Sequence, residues 1–143
     1  MNKEKGFSLL ELLIVVAIIL IIATIAIPSL LRSRQVAHET SAVANLKTLN
    51  TAQISYTTVS GGTYGRMTDL IDSALIDSRF YGPISGYNYS FDLAANLRNF
   101  TVYATAMSAN EGRYDYTTAP DYVIRFTTVT TRAPNGQAGA PVQ

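Results

Sequence analysis

The chain contains no cysteine and no tryptophan, and it has a single histidine. Without cysteine it has no disulfide to staple a small extracytoplasmic domain, no thiolate metal site and no attachment point for a lipoprotein anchor. The lone histidine, His38, has no metal-ligand spacing around it and is predicted to be solvated. No nucleophile motif accompanies it, so the sequence predicts a protein that is not an enzyme and needs no cofactor.

Charged residues are scarce as well, with 11 Lys and Arg, 10 Asp and Glu, and a net charge of +1 in 143 residues. Removal of the first six residues would take away Lys3, Glu4 and Lys5 and leave the chain formally neutral. A neutral surface does not steer polyanions. Composition therefore gives no support for nucleic acid as a partner and leaves that question open.

Apolar sequence is abundant at the N-terminus. Residues 7–31 form an apolar run that contains one charge, Glu11. As a helix this run rises about 37 Å, enough to cross a hydrocarbon core of about 30 Å. A carboxylate near the centre of such a helix costs about 2.5 to 3.5 kcal/mol, so by default it indicates a functional group that needs a partner. The nearest basic residues, Lys5 and Arg32, lie outside the run.

The residues before the run predict a removable leader. A secretory signal would have a shorter apolar region followed by a small-residue cleavage site, so this apolar segment is predicted to be kept. The leader is short and polar and ends at Gly6, which puts no side chain in a protease's way. Cleavage there would place the α-amine of Phe7 one turn from Glu11. A carboxylate and an ammonium, each costly alone in a low dielectric, attract strongly when brought together.

Residues 6–19 read G-F-S-L-L-E-L-L-I-V-V-A-I-I, and Pro28 follows. This pattern resembles the N-terminus of type IV pilins and pseudopilins, which begins with a class III signal peptide. Within that family it most resembles a type IVa major pilin. The resemblance implies cleavage between Gly6 and Phe7 by a prepilin peptidase and N-methylation of Phe7. It also implies that Glu11 of an incoming subunit neutralises the Phe7 amine of a neighbour, and that Pro28 softens the helix.

The function implied by the resemblance is a structural subunit of a type IV pilus. The subunit would be a single-pass precursor in the bacterial inner membrane and would then polymerise with copies of itself into a surface filament. Its other implied partners are the prepilin peptidase and the assembly platform with its ATPase. Adhesion, twitching motility and DNA uptake are outputs of the family that the sequence does not separate.

Two alternatives remain open at this point. One is a pseudopilin of a type II secretion system, a short periplasmic piston. The other comes from a different class and is a monomeric, membrane-anchored binding module. The pseudopilin resemblance also suggests a calcium site built from Asp115 and Asp121. Because other acidic residues are sparse around these two, we predict no metal site.

Hydrophobic periodicity predicts that the N-terminal helix continues well beyond Pro28. Val36, Val43 and Leu46 belong to a set of apolar residues at three- and four-residue steps or their multiples, the spacing of an amphipathic face. The pair Gly61-Gly62 supplies a stop, so we expect the helix to end near residue 60.

The rest of the chain predicts a short helix at residues 67–76 and a small antiparallel sheet. The β-rich runs are residues 87–93, 100–107 and 122–130. In the first run Tyr87, Tyr89 and Phe91 alternate with polar residues, which is typical of a half-buried strand. Tyr114 and Tyr116 are predicted to be exposed in a loop between the last two runs. The predicted fold is α+β, with a long N-terminal helix packed against an antiparallel β-sheet head, as in the pilin fold.

Four segments follow from these predictions. They are a leader peptide at residues 1–6, a membrane or filament-core helix at residues 7–31, a globular head including the amphipathic half of the helix at residues 32–132, and a tail at residues 133–143. The tail is rich in glycine, alanine and proline and lacks an apolar period, so it is predicted to be flexible.

Overall fold

A computed structural model of the protein describes residues 6–126 and 139–142. Its elements are α1 (Leu9–Val59), α2 (Met67–Asp72), a 3-10 turn (Ser78–Tyr81), β1 (Tyr87–Leu93), β2 (Phe100–Ala106), β3 (Tyr116–Thr118), β4 (Arg125–Phe126) and β5 (Ala140–Pro141). The chain divides into a first compact unit that ends at Arg34 and a second that begins at Gln35, and α1 contributes to both. The predicted α+β layout is confirmed.

The first unit consists, in its described part, of the N-terminal stretch of α1 and the three residues before it. No described residue of this unit is buried. Pro28 lies inside the helix, where its ring nitrogen offers no N–H to the carbonyl of Thr24. Hydroxyl groups bond to nearby carbonyls on both sides of it: Thr24 Oγ1 donates to Leu20 O at 2.6 Å, and Ser33 Oγ to Ser29 O at 3.0 Å.

In the second unit α1 buries one face against the sheet. Ala42, Leu46, Leu49 and Ala52 form its apolar part and are at most 4% exposed. Together with half-buried Val43 they confirm the predicted amphipathic face from residue 42 onward. Val36 was predicted to belong to this face but is 49% exposed, because it stands about 120° around the helix from Ala42. The three- and four-residue spacing of the buried residues puts them on one side of a helix. They pack in a core that includes Tyr87, Tyr89, Phe100 and Val102 of β1 and β2.

Buried amides fix α1 to the rest of the second unit. Gln53, with 0% exposure, donates from Nε2 to Gly65 O at 2.7 Å and accepts from Gly65 N at 3.0 Å. Asn45 Nδ2 donates to Tyr89 Oη at 2.9 Å, and Asn50 Oδ1 accepts from Thr118 Oγ1 at 3.0 Å. Because a buried polar group is costly unless it is paired, these bonds specify how the strands sit on the helix.

The sheet is an antiparallel meander with strand order β1-β2-β3-β4-β5. β1 has the predicted bounds, and its buried Tyr87 and Tyr89 alternate with exposed Asn88 and Ser90. β2 ends one residue before its predicted end. The first two predicted strands and the antiparallel arrangement are therefore confirmed.

The prediction for the third β-rich run, at residues 122–130, is wrong in its first half. Only Arg125 and Phe126 form a strand there, and residues 127–130 lie outside the described residues. Tyr122 has φ +58° and its N–H donates to Ala119 O at 2.7 Å, so a turn precedes the strand. The sheet also contains β3, which the sequence did not predict because all three of its residues are buried and no alternation marks it.

The predicted helix at residues 67–76 ends early, at Asp72. Ala74 has φ +54°, in the left-handed region, and its N–H donates to Ile71 O at 2.9 Å. Leu75 N donates to Leu70 O at 2.9 Å. These two bonds form a Schellman cap, which terminates the helix although alanine stands where glycine is usual.

The last described residues depart from the prediction of a tail without regular structure. Ala140 and Pro141 form β5, which pairs with β4, and Val142 N donates to Ile124 O at 2.8 Å. Residues 133–138 lie outside the described residues. The prediction missed this pairing because a two-residue edge strand has no period to detect.

Candidate functional site

The residues before α1 form an open segment at the predicted cleavage position. Phe7 is 86% exposed, and Gly6 and Ser8 are exposed too. A Cβ atom added at Gly6 would meet nothing within 4 Å, and Gly6 has no positive φ. Neither packing nor backbone conformation in the described structure therefore requires glycine at this position.

Ser8 and Glu11 cap the N-terminus of α1 reciprocally. Ser8 Oγ accepts from Leu10 N at 3.3 Å, and Glu11 Oε2 accepts from Ser8 N at 2.9 Å. This arrangement satisfies two backbone donors that a helix N-terminus leaves free, and a carboxylate in the first turn complements the helix dipole. It also turns the Glu11 carboxylate back toward the start of the chain. The pattern Ser-x-x-Glu signals such a cap, although our sequence analysis did not use it.

The helix behind this cap presents an apolar surface that the described residues leave exposed. Leu9, Ile25 and Leu30 are 82%, 75% and 69% exposed. Within the described residues α1 is the one helix long and apolar enough to cross a membrane, and none of its apolar window is buried. Pro28 lies several turns beyond Glu11, so the structure brings Phe7, Ser8 and Glu11 together and leaves Pro28 apart.

In the second unit two acid–base contacts, both missed by the sequence analysis, hold the loop between β2 and β3 against α1. Glu39 is 6% exposed and accepts from Arg113 at Nε (3.1 Å), Nη2 (2.9 Å) and the backbone N (2.8 Å). His38 Nδ1 lies 2.8 Å from Glu111 Oε2, within the distance of an ion pair. The prediction that His38 is solvated is wrong, because its side chain is only 18% exposed.

Gly86 makes room for this loop. It has φ +74°, and a Cβ atom there would lie 2.6 Å from Glu111 Oε2 and 3.0 Å from His38 Nδ1. An L side chain is disfavoured at this φ and would also displace the pair. Both the turn before β1 and the contact between His38 and Glu111 therefore depend on glycine at position 86.

The two acids considered for calcium have separate partners. Asp115 Oδ1 accepts from Ala106 N at 2.8 Å, and Asp121 Oδ1 accepts from Arg125 Nη1 at 3.1 Å. The hydrogen bond from Arg125 is the main cause that lowers the pKa of Asp121. No group of three or more His, Asp or Glu side chains able to hold a metal occurs among the described residues.

The tyrosines predicted to be exposed face inward instead. Tyr116 is 5% exposed in β3, and Tyr114 is half-buried with its ring 5.2 Å from that of Phe126. Desolvation by burial raises the pKa of Tyr116 to about 12 and also raises the pKa of Tyr87, whose Oη donates to Tyr114 O at 2.7 Å. The folded chain therefore favours the neutral form of the Tyr87 and Tyr116 side chains.

We expect the second unit to lose stability as the pH rises above about 10. The unfolded chain ionises tyrosine near pH 10, whereas the pKa of Tyr116 in the folded chain is about 12. Its contribution is therefore complete below pH 10 and is lost as the pH rises through 12, by about 2 to 3 kcal/mol. Near-ultraviolet circular dichroism of the detergent-solubilised chain, read beside tyrosinate absorbance, measures this loss.

The matched control for this prediction is Tyr116→Phe. This variant keeps the buried ring but cannot ionise, so its stability should fall less steeply above pH 10. Equal slopes for the two proteins would contradict the role given to Tyr116.

Comparison with known proteins gives one motif match at the N-terminus and two relatives that match part of the chain. The prokaryotic N-terminal methylation motif matches residues 1–27. The type IV major pilin protein PilA of Myxococcus xanthus is 48% identical over 54 residues, 38% of this chain and 24% of PilA. The type IV wide pilus major component PilA4 of Thermus thermophilus is 52% identical over 46 residues, 32% of this chain and 35% of PilA4. The matches thus span about a quarter and a third of the two relatives, and no solved structure matches the chain significantly.

Proposed function

We propose that this chain, which is similar to two type IV pilus major subunits over 38% and 32% of its length, is a structural subunit of a type IV pilus. The observation that carries the proposal is the N-terminal methylation motif of residues 1–27, which overlaps the start of an apolar helix that the described residues leave uncovered. On this proposal polymerisation is the activity of the chain, and its role is structural rather than enzymatic.

The exposed helix suits two environments in succession. Before assembly it lies in the inner membrane as a single span, and in the filament it packs against copies of itself. Lipid tails are about as apolar as leucine side chains, so transfer from one environment to the other changes the hydrophobic free energy little. Pro28, which removes one helical hydrogen bond, is the position where we expect α1 to yield most readily during transfer.

Processing is proposed at the peptide bond between Gly6 and Phe7. A prepilin peptidase needs access and a small residue before the bond, and Gly6 is open and has no structural role of its own in the described chain. The product would carry an N-methylated amine on Phe7. Glu11 is one turn away and already faces the start of the helix through its bond to Ser8 N. In a dry interface this carboxylate would pair with the Phe7 amine of a neighbouring subunit.

The remaining partners of the proposal are those that export and polymerise the subunit. They are the prepilin peptidase, an assembly platform with its ATPase, and further copies of the chain. The precursor would lie in the inner membrane and the product in a filament at the cell surface. The names of the two relatives, a major pilin and a major component of a wide pilus, support a filament subunit.

Intact mass of the protein from sheared surface material tests the proposal. We expect a chain that begins at Phe7 and carries one added methyl group, recovered with filaments. The membrane fraction of the same cells, probed for the six-residue leader, serves as the control for unprocessed precursor. Full-length protein beginning at Met1 and confined to the membrane would refute the proposal and favour a membrane-anchored binding module.

A further inference from the structure

The first strand of the sheet has an open edge. In the strand order β1-β2-β3-β4-β5, β1 pairs with β2 on one side only. Just beyond the two ends of β1, Met107 N donates to Gly86 O at 2.9 Å and Ala94 N donates to Asn99 O at 3.0 Å. Hydrogen-bonded positions alternate along an antiparallel pair. The even-numbered residues of β1 therefore bond to β2, and the odd-numbered ones turn their backbone N–H and C=O groups to the outer edge.

The outer edge is paired at its first position and open at the next three. Tyr87 exchanges two backbone hydrogen bonds with Ile84, at 2.9 and 3.1 Å. The backbone groups of Tyr89, Phe91 and Leu93 on this edge have no hydrogen-bond partner within residues 6–126 and 139–142. These three residues thus present donors and acceptors at the repeat of a β-strand.

The two edges of the sheet differ in how they are protected. Natural sheets usually protect an edge with a short strand, proline, lysine or a bulge. β5 follows this rule, because it has two residues and one of them is Pro141. β1 has seven residues, contains neither proline nor lysine, and keeps an unbroken register with β2. The edge of β1 is therefore suited to pairing with another strand.

A groove lies beside the open edge. We call it the edge groove. It is bordered by residues 66–68 at the start of α2 on one side and by Tyr89, Phe91 and Leu93 on the other. Its volume is about 420 Å³, within the range of about 300 to 1,000 Å³ that is usual for ligand sites. The space next to the unpaired backbone groups is thus available to a ligand.

Arg66 gives the edge groove a positive charge. Of the described residues that line the groove, Arg66 alone is charged, and it is exposed. Its backbone N donates to Asp69 Oδ2 at 2.8 Å. In the described part of the chain, no carboxylate forms an ion pair with its guanidinium. A ligand with a carboxylate would complement this charge, because a guanidinium donates strong hydrogen bonds to such a group.

We propose that the edge groove binds an extended peptide segment of another protein, which adds to β1 as a further strand and places a carboxylate beside Arg66. In this mode of recognition main-chain hydrogen bonds supply affinity and alternate side chains supply specificity. A helical ligand could not pair with the open edge, because its backbone groups are bonded within the helix. The inference does not rest on the proposed function, since a single chain forms the whole groove.

Amide hydrogen exchange of the full chain in detergent, followed by nuclear magnetic resonance, tests the inference. The probe is a short synthetic peptide of alternating valine and threonine that ends in aspartate. At about ten times its Kd we expect exchange at Phe91 and Leu93 to slow about tenfold, because only the unbound fraction exchanges. Ser90 and Asp92, whose N–H groups face β2, are the internal control and should keep their rates.

The matched control is the same peptide with its backbone nitrogens methylated. It keeps the side chains but has no N–H to donate, so we expect it to leave exchange unchanged. No slowing by the unmodified peptide, or equal slowing by both peptides, would overturn the inference. Slow exchange at Phe91 and Leu93 that arises without peptide and grows with protein concentration would also overturn it, because a second copy would then occupy the edge.

Two arginine variants test the place of the carboxylate. Arg66→Ala should weaken binding of the aspartate peptide about two- to fivefold, the range of an exposed ion pair. Arg98→Ala is the control, because Arg98 is exposed between β1 and β2 and does not line the groove. With asparagine in place of the peptide aspartate, Arg66→Ala should have no effect. An equal effect of Arg66→Ala on the two peptides would overturn the pairing of a carboxylate with Arg66.

Discussion

Replacing Glu11 by alanine is expected to leave the chain in the membrane and to abolish filaments. On the proposed function Phe7 becomes the N-terminus, and its amine would enter the filament as a positive charge that needs a carboxylate in a dry environment. Removing one member of a buried pair costs about 3 to 5 kcal/mol, because the other charge is left unpaired. That loss weakens addition of each subunit by at least about a hundredfold.

Loss of filaments in Glu11→Ala could also follow from loss of the helix cap that Glu11 forms. Two further variants distinguish loss of the cap from loss of the charge. Glu11→Gln keeps an oxygen that can accept from Ser8 N, as glutamine does in capping boxes, but carries no charge. Ser8→Ala removes the cap hydroxyl, worth about 1 kcal/mol, and leaves the charge. We expect Glu11→Gln to fail in assembly as the alanine variant does, and Ser8→Ala to assemble.

Filament yield, measured by electron microscopy of sheared material and normalised to processed protein in the membrane, separates these outcomes. Normalisation matters because a variant that is not cleaved would yield no filaments for another reason. Filaments from Glu11→Gln at the yield of the unmodified chain would show that the cap, and not the charge, is what assembly requires.

The candidate site was predictable from sequence because its parts are adjacent in the chain. Gly6, Phe7, Ser8 and Glu11 lie at residues 6–11, at the start of α1, so their proximity follows from their short separation in the sequence. The buried face of α1 and the strand β1 were predictable for a related reason: each carries a long hydrophobic period. These features could be predicted because each depends on residues that lie close together in the sequence.

The polar contacts of the second unit were not predictable because they join distant positions. Glu39 and Arg113 are 74 residues apart, and their pairing depends on how the loop after β2 returns to α1. The strand β3 is likewise recognisable only from its pairing with β2 and β4, because its three residues show no hydrophobic period in the sequence. The sequence shows that Glu39 is an acid on a helix, but not that the fold buries it.

Replacing Arg113 by alanine is expected to destabilise the second unit by about 2 to 3 kcal/mol. The substitution removes two side-chain donors from a carboxylate that is 6% exposed, and only the backbone N–H of residue 113 remains. Hydrogen bonds to charged groups are worth about 1.5 to 3 kcal/mol. The upper values for breaking a buried pair do not apply, because the Arg113 side chain is 49% exposed and water screens it.

A double-mutant cycle distinguishes this cause from a simple loss of packing. In a Glu39→Gln background the carboxylate is absent, so Arg113→Ala should cost much less than in the unmodified chain. Arg98→Ala serves as the matched control: it removes an exposed arginine, and we expect a change within about 0.5 kcal/mol. Denaturant unfolding of the full chain in detergent, followed by near-ultraviolet circular dichroism of the tyrosines, measures all four proteins of the cycle and the control. Equal costs of Arg113→Ala in both backgrounds would mean that the Glu39 charge does not need its guanidinium partner and that the loop is held to α1 by packing.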